Sequence, residues 1–394
     1  MKTNLNALLF VFLVLTVYSS CWNNDAFLQK NDPHLVLNIV VAQTIPTDHK
    51  VPMLLEVIKA DTTFQYNGSI ERRGGFSISF PKHSYEIDLK KDIALGKLPA
   101  DDDWILNANY IDKTFIRHTF AYSLFRDMHP NNRAALYTYV ELNLNGDYRG
   151  LYILMEKLDK SSLDILKRDT SAFIFKEPPV FTPNIKDFIA ADKNNFHQQT
   201  FPKIAYKDKS AVMAKIRFVI LNTNDKQFSR QIIQLFDINN IIDWHLLLLM
   251  TKNNDGLLKN FYLYKTNAAT PFRVAPWDYD HSFGRDGDNE LNLKKPIDLT
   301  KSILFKQLLL QEWYQKALRK RWYQLNEQGL LSVDGLKKRL YQLRSTIDPL
   351  VLKNFDKWPV NGAWYYDGNN YKKEIDIMIN FIDTRHKELS TLFL

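Results

Sequence analysis

Between residues 34 and 181, apolar and polar positions alternate in short runs, the period-two pattern of strands with one buried face. Residues 34–41 are apolar and β-branched, and 76–80 and 85–89 alternate on either side of a turn at 81–84. Residues 140–144 and 148–155 flank Asn145, Gly146 and Asp147, and Asn-Gly between two strand patterns predicts a type I′ hairpin. One longer helix, over 113–128, interrupts these strands. Residues 183–205 mix Pro, Asn and charge and read as a linker or loop. Beyond them the spacing turns helical, over 210–221, 232–235, 241–252, 304–325, 332–347 and 373–392. This order predicts an α+β protein with a β-rich N-terminal lobe over 34–205 and a mainly helical C-terminal lobe over 206–394. A cleft between such lobes is a favoured place for a ligand.

Composition changes this picture little. With 45% hydrophobic and 13% aromatic residues in 394, the chain has the material for a core and is not a disordered polypeptide. Lys+Arg 52 against Asp+Glu 44 leaves a net charge of +8 spread over alternating charges, which points to no nucleic-acid partner. The basic runs 319–321 and 337–339 lie on predicted helices without interleaved aromatics and read as solvated faces. The lone cysteine, Cys21, excludes a disulfide within the chain.

The first residues add a destination. Residues 1–21 carry one Lys, an 11-residue run over 7–17 that is apolar but for Thr16, and then Ser19 and Ser20 before Cys21. That run is shorter than the roughly 20 residues a membrane-spanning helix needs, and the layout is that of a secretory signal peptide. A sole cysteine at the cut resembles a bacterial lipoprotein signal, in which the cysteine thiol is lipidated, although Tyr18 stands where an aliphatic residue is usual. Residues 22–33 would then be a tether. The expectation is an exported protein anchored to the membrane at the cell envelope through Cys21, with plain secretion as the alternative.

Candidate chemistry is densest late in the chain. A very apolar helix runs into a polar loop holding Asn253, Asn254, Asp255, Lys259 and Asn260. A strand over 261–264, a turn and a second strand over 272–275 lead to Trp277, Asp278, Tyr279, Asp280 and His281. An Asp on the first loop suits acceptance of a proton from an attacking hydroxyl. An Asn five residues on and an Asp after the hairpin suit a hard divalent cation, which prefers carboxylate and amide oxygens. Protein kinases divide the labour in this way. On the residues alone a second reading stays open, in which Asp278 and Asp280 only form turns that cap a strand. Asp286, Asp288 and Glu290 lack the spacing of an EF-hand calcium loop and read as a solvated turn.

Several separated blocks resemble the spore coat protein H (CotH) kinase family. They are Arg72-Arg73-Gly74-Gly75-Phe76-Ser77 with Phe80-Pro81-Lys82-His83-Ser84-Tyr85; Trp104 to Asn107 with Asp112 and Ile116-Arg117; and Leu144 to Tyr148 with Gly150, Tyr152 and Glu156. Asn253 to Asn260, and Trp277 to Asp280 with Phe283-Gly284, complete the series in family order. His83 and Gly75 depart from the Lys and Asn common at those places, and 173–176 match poorly. The resemblance implies an atypical protein-kinase-like, two-lobed fold and a phosphotransferase using ATP with Mg²⁺ or Mn²⁺. Asp255 would be the catalytic base. Asn260, Asp278 and Asp280 would hold the metal, and Arg73 and Lys82 would neutralise phosphate. Glu156 would orient Lys82 or bind metal, and Trp277 would pack near the nucleotide or simply in the core. Asp112 and Arg117 would tie the helix to the sheet, and His281 is expected to be an ordinary loop histidine. The implied acceptor is a Ser or Thr of an exported protein, or of the chain itself. A non-catalytic surface binding module and a metal-dependent phosphoesterase are the alternatives.

Overall fold

In the computed structural model the period-two segments close on themselves as a barrel. Its strands are β1 (Leu35–Val40), β2 (Val51–Lys59), β3 (Thr62–Arg73), β4 (Ser84–Ile93), β5 (Asp101–Asn107), β6 (Tyr137–Leu144) and β7 (Asp147–Glu156). They run in the order β1-β2-β3-β4-β5-β7-β6, and β1 closes the ring by pairing parallel to β6. The structure describes residues 35–59, 62–166, 168–186, 188, 198–203, 210–285, 291, 296–360, 365 and 367–394. The expected signal peptide with Cys21, the expected tether and the expected turn over 286–290 lie outside them.

Alternation fills the barrel: Leu35, Leu37 and Ile39 of β1 and Val51, Met53, Leu55 and Val57 of β2 are all buried, and their neighbours are not. The β6–β7 hairpin turns on Asn145 (φ 50) and Gly146 (φ 81), both left-handed as a type I′ turn requires. The Asn145 side chain then accepts from the Val41 N–H (2.8 Å) and donates to the Val41 carbonyl (2.9 Å), which fixes the parallel closure.

The rest of the chain forms a helical layer around a second sheet. Eight α-helices occur among the described residues: α1 (Arg117–Met128), inserted between β5 and β6, then α2 (Ser210–Asn222), α3 (Asp225–Leu235), α4 (Ile238–Thr251), α5 (Ile303–Leu308), α6 (Glu312–Glu327), α7 (Val333–Lys357) and α8 (Tyr371–Leu392). The sheet has the order β11-β10-β8-β9, from β8 (Phe173–Lys176), β9 (Gln199–Phe201), β10 (Phe261–Lys265) and β11 (Arg273–Pro276). Two of these strands precede residue 205 and two follow it, so the expected lobe boundary passes through a sheet, and β9 lies inside the expected linker.

Three other expectations differ from what is found. Residues 76–80 are not a strand: a 3₁₀ turn spans Phe76–Ser79, because Gly74 (φ +133) breaks β3 and the Ser79 hydroxyl bonds back to the Phe76 carbonyl at 2.7 Å. The helix expected from 113 begins at Arg117, since Asp112 accepts from the Thr114 N–H (3.0 Å) and holds the approach in a turn. The helix expected over 304–325 is two helices, α5 and α6.

A buried ionic cluster joins three separate segments. Arg117 pairs with Asp112 (2.5 Å) and Glu374 (3.2 Å) and donates from Nε to the Ser282 carbonyl (2.9 Å). Arg285 pairs with Glu374 and with Asp367 (2.9 Å), and Lys113 pairs with Asp367 (2.7 Å). Asp112, Lys113, Arg117, Arg285 and Glu374 are all buried. Burial raises the Glu374 carboxyl, but its bond to Arg285 and the charges of Arg117, Arg285 and Lys113 hold it below its usual range. A second joint links α7 to the barrel. Asn354 Oδ1 accepts from the Leu151 N–H (3.1 Å) and from Lys82 Nζ (3.0 Å). The place it occupies is left open by Gly150 (φ +104), where an added Cβ would lie 2.4 Å from the same oxygen. Lys353 pairs with Glu141, Lys357 with Asp147 (2.7 Å), and the Trp358 indole donates to the Arg149 carbonyl (2.8 Å).

Glu374→Gln strands Arg117 and Arg285 in the interior with half their counter-charge gone. The expected loss is about 3–5 kcal/mol of unfolding free energy, the usual consequence of breaking a buried pair from one side. Urea denaturation of the variant beside wild type measures it, and a change under about 1 kcal/mol would show that the cluster does not hold the three segments.

Candidate active site

The Thr251 end of α4 turns through Lys252 (φ 55) into the loop that carries Asp255. Asn253, fully buried, accepts from the Gly256 N–H (3.0 Å) and donates to the Asp278 carbonyl (3.4 Å), so this loop and the turn after β11 are tied together. Asn260 opens β10 in a left-handed conformation (φ 60); its carbonyl accepts the Trp277 N–H at 2.9 Å and its Nδ2 donates to the Asp278 carbonyl at 3.5 Å. That leaves Asn260 Oδ1 as its uncommitted atom, the atom a cation takes.

These segments meet the outer face of the barrel around a cavity of about 1160 Å³. Asp255, Asn260, Trp277, Asp278, Asp280, Arg73 and Lys82 all line it, and Glu156 does not. Three residues that sequence reasoning passed over are also in the wall: His118 from α1, Lys176 from the end of β8 and Lys259. Lys259 was legible, since it stands four residues after Asp255 in a short helical turn, and its Nζ lies 3.0 Å from Asp255 Oδ2. Nothing in one sequence could bring His118 or Lys176 to the same place.

The carboxylates at the foot of the cavity are shifted in opposite directions. Asp278 (φ 55) has its side chain 49% exposed into the cavity; desolvation there, and next the charge of Asp280, push its carboxyl up to about 6. Burial also raises Asp280, but the charges of His281 and His118 and the His281 N–H (2.9 Å) outweigh it and hold this carboxyl below its usual range. Ligand atoms of His118, Asp278 and Asp280 lie within 4.8 Å of one another. His118 Nε2 is 3.7 Å from Asp278 Oδ1, and its Nδ1 accepts the Tyr279 N–H at 2.9 Å. The Tyr122 hydroxyl accepts the Asp278 N–H at 2.9 Å. Oxygen donors on Asn260, Asp278 and Asp280 suit a hard divalent cation such as Mg²⁺ or Mn²⁺.

The basic residues behave less uniformly. Arg73 lies over the Trp277 ring, 6.0 Å from its centroid, with Nε 3.8 Å from Glu86. Trp277 itself is 5% exposed and stacks on Tyr122 (6.3 Å), so it is both a core residue and part of the cavity wall. Lys82 is 1% exposed, and its Nζ donates to the carbonyls of Ala108 (2.8 Å) and Leu151 and to Asn354, using all three of its donors. Burial, and next the charge of Arg149, push its amine well below the usual lysine range, and the Tyr152 ring centroid lies 4.4 Å from it. Lys82 therefore reaches the cavity wall with no N–H left for a phosphate. Glu156 does not orient it: that carboxyl accepts the Leu136 N–H at 2.8 Å. The acid–base pair that forms near the cavity is instead Glu86 with Lys157 (2.7 Å) and Lys50 (2.9 Å), which hold Glu86 at about 2 against the opposing effect of burial.

Burial, chiefly, raises Glu156 from its usual 4.5 to about 7. Its neutral form therefore contributes stability that is complete below pH 4.5 and is lost as pH rises through about 7. Glu156→Gln keeps the acceptor without the charge. It is expected to match wild type near pH 4.5 and to exceed it by about 3 kcal/mol at pH 8, read from urea midpoints at both pH values. A gap that does not change with pH would show that this carboxyl is not held neutral.

Comparison with known proteins bears on the same residues. The inner spore coat protein H of Bacillus subtilis (strain 168) is 23% identical over 348 residues, 87% of this chain and 90% of that protein. The Helicobacter pylori proinflammatory kinase CtkA, a crystal structure, aligns over 89% of this chain and 99% of its own at 9% identity, but its TM-score of 0.27 is too low to transfer its architecture. The family model described as CotH kinase protein matches residues 70–389, from the end of β3 to the last turn of α8, and so takes in every wall of the cavity. The chain belongs to the CotH kinase protein family.

Proposed function

We propose that the protein is a metal-dependent phosphotransferase that moves the γ-phosphoryl group of ATP to a Ser or Thr hydroxyl of an exported protein or of itself. The observation that carries this reading is convergence: Asp255, Asn260, Asp278 and Asp280 come from two segments separated by a hairpin and face one cavity with Arg73, Lys176 and Lys259. Membership of a kinase family supports it. The barrel stands in for a nucleotide-covering lobe, and the helical layer with its sheet for a catalytic lobe.

Each group has a defined task in this reading. Asn260 Oδ1 and the carboxylates of Asp278 and Asp280 hold Mg²⁺ or Mn²⁺, which neutralises phosphate charge when bound. Arg73 and Lys176 are the cations available to the phosphate chain, in place of Lys82. Asp255 accepts the proton of the acceptor hydroxyl as its oxygen bonds to the γ-phosphorus, and the bond from that phosphorus to the bridging oxygen of ATP breaks to leave ADP. Lys259 fixes Asp255 through Oδ2 and leaves Oδ1 to take the proton. Catalysis of this kind is mostly positioning and charge neutralisation. The lipid anchor at Cys21 would place the reaction at the membrane of the cell envelope.

ATP with Mg²⁺ or Mn²⁺ is expected to raise the melting temperature of wild type by mass action, and Asp278→Ala to lose that rise. No metal-dependent rise in wild type at millimolar ATP would favour a binding module instead. Asp255→Ala is expected to keep the rise and to lose phosphoryl transfer, followed as ³²P incorporation from [γ-³²P]ATP, by about 10²–10⁴-fold. Normal transfer by Asp255→Ala would remove it as the base, and hydrolysis of a phosphate ester without nucleotide binding would favour a phosphoesterase.

A further inference from the structure

We infer that His118 is a positioning residue whose protonated Nε2 faces Asp278, and that the cation site beside it is built from oxygen alone. The inference rests on the reading of Asp278 and Asp280 as metal-binding carboxylates. Proximity alone suggests otherwise, since the His118 ring and the two carboxylates would pass for a three-ligand His-Asp-Asp site.

The main chain decides between the two. A backbone N–H can only donate, so the Tyr279 N–H, 2.9 Å from His118 Nδ1, occupies the lone pair of that nitrogen. The proton of the neutral ring is then on Nε2, the nitrogen that faces Asp278 Oδ1 at 3.7 Å. A metal-ligating histidine shows the reverse arrangement, in which the nitrogen away from the metal gives its proton to a carbonyl or carboxylate and the other offers a lone pair. Rotating the ring by half a turn does not restore that arrangement, because it leaves the fully buried Tyr279 with an unpaired N–H.

The neighbouring residues of α1 show why a histidine stands here. Asp278 is a non-glycine residue in the left-handed region (φ 55), and its turn persists only if its backbone groups are held. Helix α1 holds them from consecutive turns. His118 takes the N–H of Tyr279, Tyr122 takes the N–H of Asp278, and Arg117 donates to the carbonyl of Ser282 at 2.9 Å. His118 alone of the three also turns an N–H toward the Asp278 carboxylate, with Nε2 3.7 Å from Oδ1, so it bears on both the turn and the direction in which the ligand oxygens point. A ring whose facing nitrogen carries its proton leaves Asn260, Asp278 and Asp280 as an all-oxygen set, which selects Mg²⁺, Mn²⁺ or Ca²⁺ over metals that favour imidazole.

The test is pulsed electron paramagnetic resonance on the full-length protein loaded with Mn²⁺, beside Mn²⁺ affinities of two variants. The expected spectrum shows no coupling from a directly bound ring nitrogen. His118→Asn keeps an acceptor for the Tyr279 N–H but has no donor that reaches Asp278, and its Mn²⁺ affinity is expected to fall about 10–100-fold. His118→Gln restores a donor at the far position but leaves the Tyr279 N–H unpaired, and is expected to recover part of that loss. Any directly bound ring nitrogen overturns the all-oxygen site while leaving the metal reading intact. Wild-type affinity in a folded His118→Asn overturns the positioning role. If wild type binds no Mn²⁺ with or without ATP, the metal reading falls and this inference with it. The wild-type spectrum decides the all-oxygen site even if both variants fail to fold.

Discussion

Arg117 is a charge that the fold cannot bury unless three distant segments come together around it. Its partners are Asp112 from its own approach turn, Glu374 from α8 and the Ser282 carbonyl from the turn beyond Asp278 and Asp280. Arg285, Lys113 and Asp367 extend the same cluster, giving three cations and three carboxylates. Desolvating so many charges brings little net stability even when every one is paired, yet any wrong docking leaves a charge alone in the interior. The cluster therefore acts as a condition on the arrangement more than as a glue. Because His118 and Tyr122 follow Arg117 on the same helix, the docking that satisfies Arg117 also delivers the two side chains that hold Asp278.

Lys82 shows how the setting of a side chain overrides its residue type. A lysine beside a glycine-containing loop at the edge of a cavity invites a phosphate-binding role, and the resemblance to the family implies one. Here the ammonium is spent on two carbonyls and Asn354, so it works as a joint between the loop after β3, the end of β5, β7 and α7. The positive charge facing the cavity comes from Arg73, Lys176 and Lys259 instead.

Features that depend on neighbours in sequence were legible, and features that depend on register were not. Asn145-Gly146 specifies its own turn, and the interval from Asp255 to Asn260 places both on one loop leading to a hairpin, so the hairpin and the carboxylate set follow from the residues themselves. Alternation misled at 76–80, where Ser77 and Ser79 alternate with apolar residues only because the chain turns on them. Glu156 was drawn into the site because it ends a strand that leads there. Register decides otherwise, since Glu156 lies opposite Trp104 and bonds to Leu136 while Glu86 faces the cavity. A one-residue change of register exchanges the two faces of a strand, and a single sequence carries no measure of it. His118 is a stronger case, because its role is set by a backbone N–H 161 residues away.

The joint at Gly150 has a mechanical consequence. Helix α7 is fastened to the barrel through Asn354, Lys353, Lys357 and Trp358, and near its other end Arg339 pairs with Asp127 of α1 (2.6 Å) while Lys337 pairs with Asp383 of α8 (2.7 Å). A helix riveted at both ends is a strut. It sets the spacing between the barrel and the two helices α1 and α8. The short loop over 74–80 lies outside that bracing and lines the cavity, with its Phe76 ring 75% exposed.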